Sequence, residues 1–297
     1  MAEAPDPPDA PALAGQAAVD GLVDLLDLER IEVDIYRGGS PQVRSQRVFG
    51  GQVAGQALVA AGRSVEPDRL VHSLHSYFIR AGDPTMPIVY EVDRVRDGRS
   101  FSVRRVTAVQ RGKAIFTLSA SFQLAQDGLD HQSDMPAAPE PTTLPTFTER
   151  YRADPRAEHY WRDRPRPIDV RYVDAAPWER DGVGPNDGVS RVWMRADGKL
   201  PDDPLLHVCV LTFASDMTLL DAALARQGLA NQGTVMMASL DHAMWFERTF
   251  RADEWLLYTM KSPSASGGRA LATGRFHRQD GTLVCSVVQE GLIRVRG

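Results

Sequence analysis

The chain has 297 residues, enough for two medium domains or one large one, and 43% of them are hydrophobic, as a sizeable globular core requires. Its formal net charge is −5, with both signs interspersed and no basic block of the kind a nucleic-acid or membrane-surface protein carries. The two cysteines, Cys209 and Cys285, lie far apart in apolar runs. They do not make a disulfide framework and read as buried free thiols of a reducing compartment.

Residues 1–18, rich in Ala, Pro and Asp, have neither the basic start nor the apolar stretch of a signal peptide and are expected to form a disordered tail. No apolar run approaches the length of a membrane span, so a soluble cytoplasmic protein is expected. Order is expected from Val19, with a short helix and then a strand in VDGLVDLLDLERIEV. From Gln52 to Ser64 small residues stand all round the helical wheel, among them Ala54, Gly55, Ala57, Ala60 and Ala61. Such a helix suits a buried, central place with a sheet closed tightly around it. Strands follow in VHSLHSYFIR, PIVYEVDRVRDG and SFSVRRVTAVQRGKAIFTLSASFQL, the last folded at Gln110-Arg111-Gly112. In the first of these, strict alternation would put His72 and His75 on opposite faces.

Residues 126–166 are Pro-rich, polar and acidic and read as a linker crossing the surface, with a short helix or turn in YRADPRAEHYWRDRPRP. Beyond it the first-half pattern returns. PIDVRYVD and VSRVWMRAD are strands, VCVLTFASDMTLLDAALARQGL is a helix preceded by an apolar run, and MASLDHAMWFER is one strand. EWLLYTMKSPSA, GRALATGRFHR and GTLVCSVVQEGLIR follow as strands, with a hairpin at Gln279-Asp280-Gly281. Superposing the halves sets Phe49-Gly50-Gly51-Gln52 on Phe213-Ala214-Ser215-Asp216, and Arg111-Gly112-Lys113-Ala114-Ile115 on Asp280-Gly281-Thr282-Leu283-Val284. This self-similarity predicts a duplicated α+β module, at 19–125 and 167–297, each a helix wrapped by a bent antiparallel sheet.

Several segments, in order, resemble the acyl-CoA thioesterase II family: RVFGGQVAGQAL, LHSYFIRAGDP, LTFASDMTLL, MMASLDHAMWFER, EWLLYTMKSPSASGGRA and GTLVCSVVQEGLIR. The resemblance implies a double hotdog fold and hydrolysis of fatty acyl-CoA to free acid and CoA without metal or organic cofactor. It also implies a catalytic set of Asp, Thr or Ser, and Gln that orders a water, which falls on Asp216, Ser239 and Gln289. Glu247 stands where the family often has His.

The chemistry suits these residue types. A thioester is already activated, so it needs an activated water, a positioned carbonyl and oxyanion stabilisation more than a strong acid. Asp216 can take a proton from water, while Ser239 and Gln289 offer donors and acceptors to hold it. From bare sequence each has a plainer role: Asp216 as the N-cap of MTLLDAALARQ, Ser239 as a small polar strand residue, Gln289 as a strand-end amide. The oxyanion site is expected at backbone N–H groups near the helix after Asp216 or its first-half counterpart. Gln52, set on Asp216 by the superposition, predicts one active centre per chain. Arg99 and Arg269 are the candidates for CoA phosphates, among the further cations Arg104, Arg105, Arg111 and Arg275.

Other chemistries have less support. Asp241-His242 looks like an acid–base pair, but adjacent strand residues face opposite ways. There is no zinc spacing, GxSxG elbow or GxGxxG loop. A hotdog hydratase or dehydratase would carry His in the turn at Asp216, which this chain lacks. A non-catalytic acyl-CoA-binding protein would have no need of all three polar residues. A homodimer or homotetramer is expected by analogy with other hotdog proteins.

Overall fold

The computed structural model describes residues 13–41, 47–155, 164–179, 188–229 and 235–295. The chain opens with helix α1 (Gln16–Leu26) and strands β1 (Glu29–Glu32) and β2 (Ile35–Gly38). Helix α2 (Gly50–Gly62) and strands β3 (Arg69–Phe78), β4 (Ile88–Asp97), β5 (Phe101–Gln110) and β6 (Lys113–Leu124) complete the first half. After helix α3 (Phe147–Arg152) come β7 (Ile168–Tyr172), β8 (Val189–Ala196), and helices α4 (Pro204–Ser215) and α5 (Asp221–Gln227). Strands β9 (Val235–Ser239), β10 (Asp241–Phe246), β11 (Leu256–Ser266), β12 (Arg269–Arg278) and β13 (Leu283–Val295) end the chain.

One antiparallel sheet runs in the order β1-β2-β4-β5-β6-β3-β10-β13-β12-β11-β8-β7, with β9 paired to β13. The order is the same in both halves when read outward from the β3–β10 seam. This is the α+β double hotdog: two bent sheets joined edge to edge, each half with its own long helix. At the β5–β6 turn Arg111 and Gly112 both have positive φ, 50° and 69°, as a two-residue type I′ hairpin demands.

The expectation of a buried α2 holds: every residue from Gly51 to Ala61 is buried. Its polar residues are bonded internally. Gln56 donates to Leu25 O at 2.7 Å and accepts from Tyr90 Oη at 2.6 Å. The small residues let α2 pack against α4 in opposite direction. A methyl group on Gly51 would lie 2.4 Å from Phe213 O, one on Gly55 3.2 Å from Cys209 O, and one on Gly62 2.5 Å from the Leu205 side chain. Thus α2 begins where α4 ends.

Four sequence expectations are corrected here. The superposition of Phe49–Gln52 on Phe213–Asp216 set a helix start on a helix end. The residue that closes α2 as Asp216 closes α4 is Arg63, whose guanidinium binds Leu28 O and Asp27. Gln52 instead donates to Gly39 O and Ser40 Oγ inside the first half. Asp216 is not an N-cap: it is the C-cap of α4, and the next helix starts only at Asp221. The apolar run thought to precede the helix is itself helical, started by Asp203, whose side chain accepts from Leu205 N, with Pro204 at the first position. Finally, order is present before Val19, since α1 starts at Gln16; residues 1–12 lie outside the described residues.

Of the bulges in the sheet, two change the face of residues singled out in the sequence. A register shift between Val71 and Ser73 turns His72 to the outer face, where it meets Ser121 Oγ at 2.8 Å and the Phe101 ring. His75, against Trp245, is on that face as well. The second bulge divides MASLDHAMWFER into β9 and β10 at Leu240.

Residues 132–144 of the expected linker run along the outside of the second half, while residues 156–163 of YRADPRAEHYWRDRPRP, for which a short helix or turn is expected, lie outside the described residues. Trp193 donates to Pro139 O, Arg191 to Ala137 O and Leu283 N to Gln132 Oε1, while Met135, Ala138 and Leu144 pack on Trp193, Trp255 and Leu257. Within the linker, α3 carries a capping box between Thr146 and Glu149. Cys209 and Cys285 are free and buried, and burial pushes both thiols up. Among the described residues no helix is long and apolar enough to cross a membrane.

Candidate active site

Asp216, Ser239 and Gln289 come together although they are far apart in sequence and lie on three elements. Ser239 Oγ donates to Asp216 Oδ1 at 3.1 Å, and Gln289 Nε2 donates to the same oxygen at 2.7 Å. The backbone N–H of Gly51, at the start of α2, donates to the carboxylate as well. Gly50 lies so close that a methyl group on it would be 2.6 Å from Asp216 Oδ2. The carboxylate therefore ends one helix and faces the start of another, whose partial positive charge favours an anion.

Each side chain is aimed by a local feature. The last turn of α4 presents Asp216 toward α2. Gln289 is fully buried on the inner face of β13. Ser239 depends on the bulge. Strand β10 pairs with β13 as Ala243 with Val288, whereas β9 pairs as Ser239 with Gly291. The extra residue, Leu240, donates to Glu290 O and accepts from Phe78 N. Were the strand unbroken through Leu240, alternation from buried His242 would send Ser239 to the outer face. With the bulge, Ser239 shares the inner face with Gln289.

Burial raises the Asp216 pKa to about 6, against the pull of the Gln289, Ser239 and Gly51 hydrogen bonds and the Arg47 charge. A carboxylate so placed is ionised at neutral pH yet far more basic than an ordinary aspartate, which is what a general base needs. Sequence reasoning missed the two contributions of the first half, Gly51 N–H and Arg47. Arg47 donates to Met237 O at 3.0 Å. The Gly50-Gly51 pair was the available signal, since paired glycines, here the first two residues of α2, allow close approach of another chain segment.

The other candidates do not join this cluster. Arg99 lies in the β4–β5 turn, where its carbonyl accepts from Arg69 at the start of β3. The site is beside Phe78, at the far end of that ten-residue strand, about 30 Å away. Arg269 pairs with Glu290 at 2.9 Å on the outer face of the sheet, opposite to the face of Gln289. Arg104, Arg105 and Arg111 pair with Asp97, Asp93 and Asp83. Asp241 and His242 do diverge: Asp241 accepts from Glu290 N, while His242 is buried on the inner side. Among the described residues, no three His, Cys, Asp or Glu side chains gather as metal ligands would.

Comparison with known proteins agrees along the chain. Residues 171–292 match the family model described as acyl-CoA thioesterase, and residues 40–123 that of the acyl-CoA thioesterase N-terminal domain. Acyl-coenzyme A thioesterase 8 of Homo sapiens is 43% identical over 287 residues, covering 93% of this chain and 89% of the relative. Acyl-CoA thioesterase 2 of Haemophilus influenzae is 37% identical over 284 residues, covering 93% and 98%. The crystal structure of the acyl-CoA thioesterase II TesB2 from Mycobacterium marinum superposes with a TM-score of 0.77 at 49% identity, covering 93% of this chain and 99% of that one. On these grounds the chain belongs to the acyl-CoA thioesterase II family.

Proposed function

We propose that the protein hydrolyses fatty acyl-CoA thioesters to fatty acid and CoA, with Asp216 as general base and Ser239 and Gln289 holding the attacking water. The observation that carries this reading is the convergence of Ser239 Oγ and Gln289 Nε2 on one oxygen of a carboxylate whose pKa is raised to about 6. Water gives a proton to Asp216 as its oxygen bonds to the thioester carbonyl carbon. The tetrahedral intermediate then collapses, the C–S bond breaks, and the CoA sulfur leaves and takes up a proton. Gln289 has a second amide hydrogen to donate to the water or to the developing oxyanion, and Ser239 has an oxygen lone pair to accept from the water.

Arg47, whose charge acts on Asp216, is proposed to meet the CoA phosphates, since Arg99 stands at the other end of β3 and Arg269 lies on the opposite face of the sheet. The protein is proposed to act in the cytoplasm as a homodimer or homotetramer, which light scattering of the purified chain checks. Activity is checked by incubating it with acyl-CoA esters of short, medium and long chain and detecting released thiol. No release from any of them overturns the enzyme reading; full activity in Asp216→Asn overturns only the residue assignment.

A further inference from the structure

Behind the three polar residues stands a histidine that the proposed mechanism does not use. His242 is completely buried on β10. It lies one residue beyond the Ala243–Val288 pair, which puts it directly across from Gln289 on the same inner face. Its Nε2 is 2.8 Å from Ser215 Oγ, in the last turn of α4, immediately before Asp216. Neither its Nδ1 nor Gln289 Oε1 has a partner in full hydrogen-bond geometry, while the Gln289 side chain lies close enough to the ring to act on its pKa. Two buried polar atoms on facing cross-strand side chains are thus left over together. One is a donor in one tautomer and the other is an acceptor, so each can satisfy the other.

We propose that His242 is a positioning residue for the hydrolysis: as the Nδ1–H tautomer it donates to Gln289 Oε1 and thereby fixes which end of the Gln289 amide faces Asp216. The proposal rests on the reading of Asp216 and Gln289 given above.

The choice between tautomers follows from hydrogen-bond direction. Gln289 Nε2 is 2.7 Å from Asp216 Oδ1. A flipped amide would set its carbonyl oxygen against the carboxylate, acceptor against acceptor. With the amide as it stands, Oε1 faces His242 and requires a donor there. Burial lowers the His242 pKa to about 4, so the ring is neutral near pH 7 and carries one N–H. If that proton is on Nδ1, Nε2 must accept. Ser215 Oγ lies 2.8 Å from it and 2.9 Å from Thr212 O, and can turn its hydroxyl proton to Nε2. The directed series is then Ser215 O–H to His242 Nε2, His242 Nδ1–H to Gln289 Oε1, and Gln289 N–H to Asp216. The second amide hydrogen of Gln289 is left for water. The Nε2–H tautomer would point a lone pair at Oε1 and release the amide to flip. The ring is further enclosed by Met244, whose sulfur is 3.5 Å from Ser215 Oγ, and its backbone carbonyl accepts from Ser76 Oγ on β3.

The test compares His242→Leu with His242→Asn, whose side-chain amide can offer an N–H near the place of Nδ1–H. We expect His242→Leu to lower kcat about ten- to hundredfold, the worth of one buried hydrogen bond, with KM changed less than about threefold. His242→Asn should recover most of that loss. In a Gln289→Ala background, His242→Leu should cost nothing further. Nitrogen-15 NMR of the wild-type protein, labelled at histidine, should find His242 Nδ1 protonated and Nε2 bare. A His242→Leu enzyme of full kcat, or an Nε2–H tautomer, overturns the proposal. The tautomer measurement decides alone if the variants do not fold. Full activity in both Asp216→Asn and Gln289→Ala would instead remove the site assignment on which the proposal stands.

Discussion

The backbone N–H of Gly51 donates to the carboxylate of Asp216, so the start of α2 and the end of α4 are held together through the proposed base. Gly51 cannot carry a side chain there, because a methyl group would sit 2.4 Å from Phe213 O, a backbone atom that cannot move alone. Gly51→Ala should destabilise the fold by about 1–3 kcal/mol, as overpacking a tight contact does, and lower activity beyond what the lost stability explains. Denaturant unfolding together with kcat of the folded fraction checks both.

The raised pKa of Asp216 sets a pH dependence. Activity, measured as kcat/KM, should rise with pH through about 6 and level off above it, following ionisation of the base. Stability moves the other way. The folded pKa is above that of the unfolded chain, so this group's contribution is fully present below about pH 4 and is lost as pH rises through 6. Thermal melts of wild type and Asp216→Asn from pH 4 to 8 should show wild type losing ground to the variant as pH increases.

Ser239 and Gln289 act on one oxygen, and their effects should not add. Ser239→Ala should lower kcat about ten- to hundredfold and Gln289→Ala about a hundred- to thousandfold, as removal of positioning and oxyanion-type donors does. The double variant should be little worse than Gln289→Ala, because one lost contact already frees the water. Steady-state kinetics of the three variants decide this.

The order of elements was largely legible in the sequence because its signals are local. Small residues around the α2 wheel mark a buried helix, and Arg111-Gly112 and Asp280-Gly281 mark hairpins by their backbone preferences. The duplication could be read from recurrence of these elements, but its register at the helices could not. Phe49–Gln52 and Phe213–Asp216 look alike as Phe followed by small residues, and only packing reveals one as a helix start and the other as a helix end. The second cap signal, Asp203-Pro204, was present and would have placed α4 correctly.

By itself the sequence determined the residue types of the site and the family they resemble. Tertiary structure alone decided how they meet. Asp216 takes its partners from the first half because antiparallel packing of α2 on α4 brings Gly51 to it. Ser239 faces inward because Leu240 bulges out of the pairing instead of taking its turn in the alternation. Gln289 meets His242 because β13 lies beside β10 in a register that pairs them. Periodicity along a chain carries the face of a residue only while the strand is unbroken, and it carries nothing about which distant segment will lie opposite.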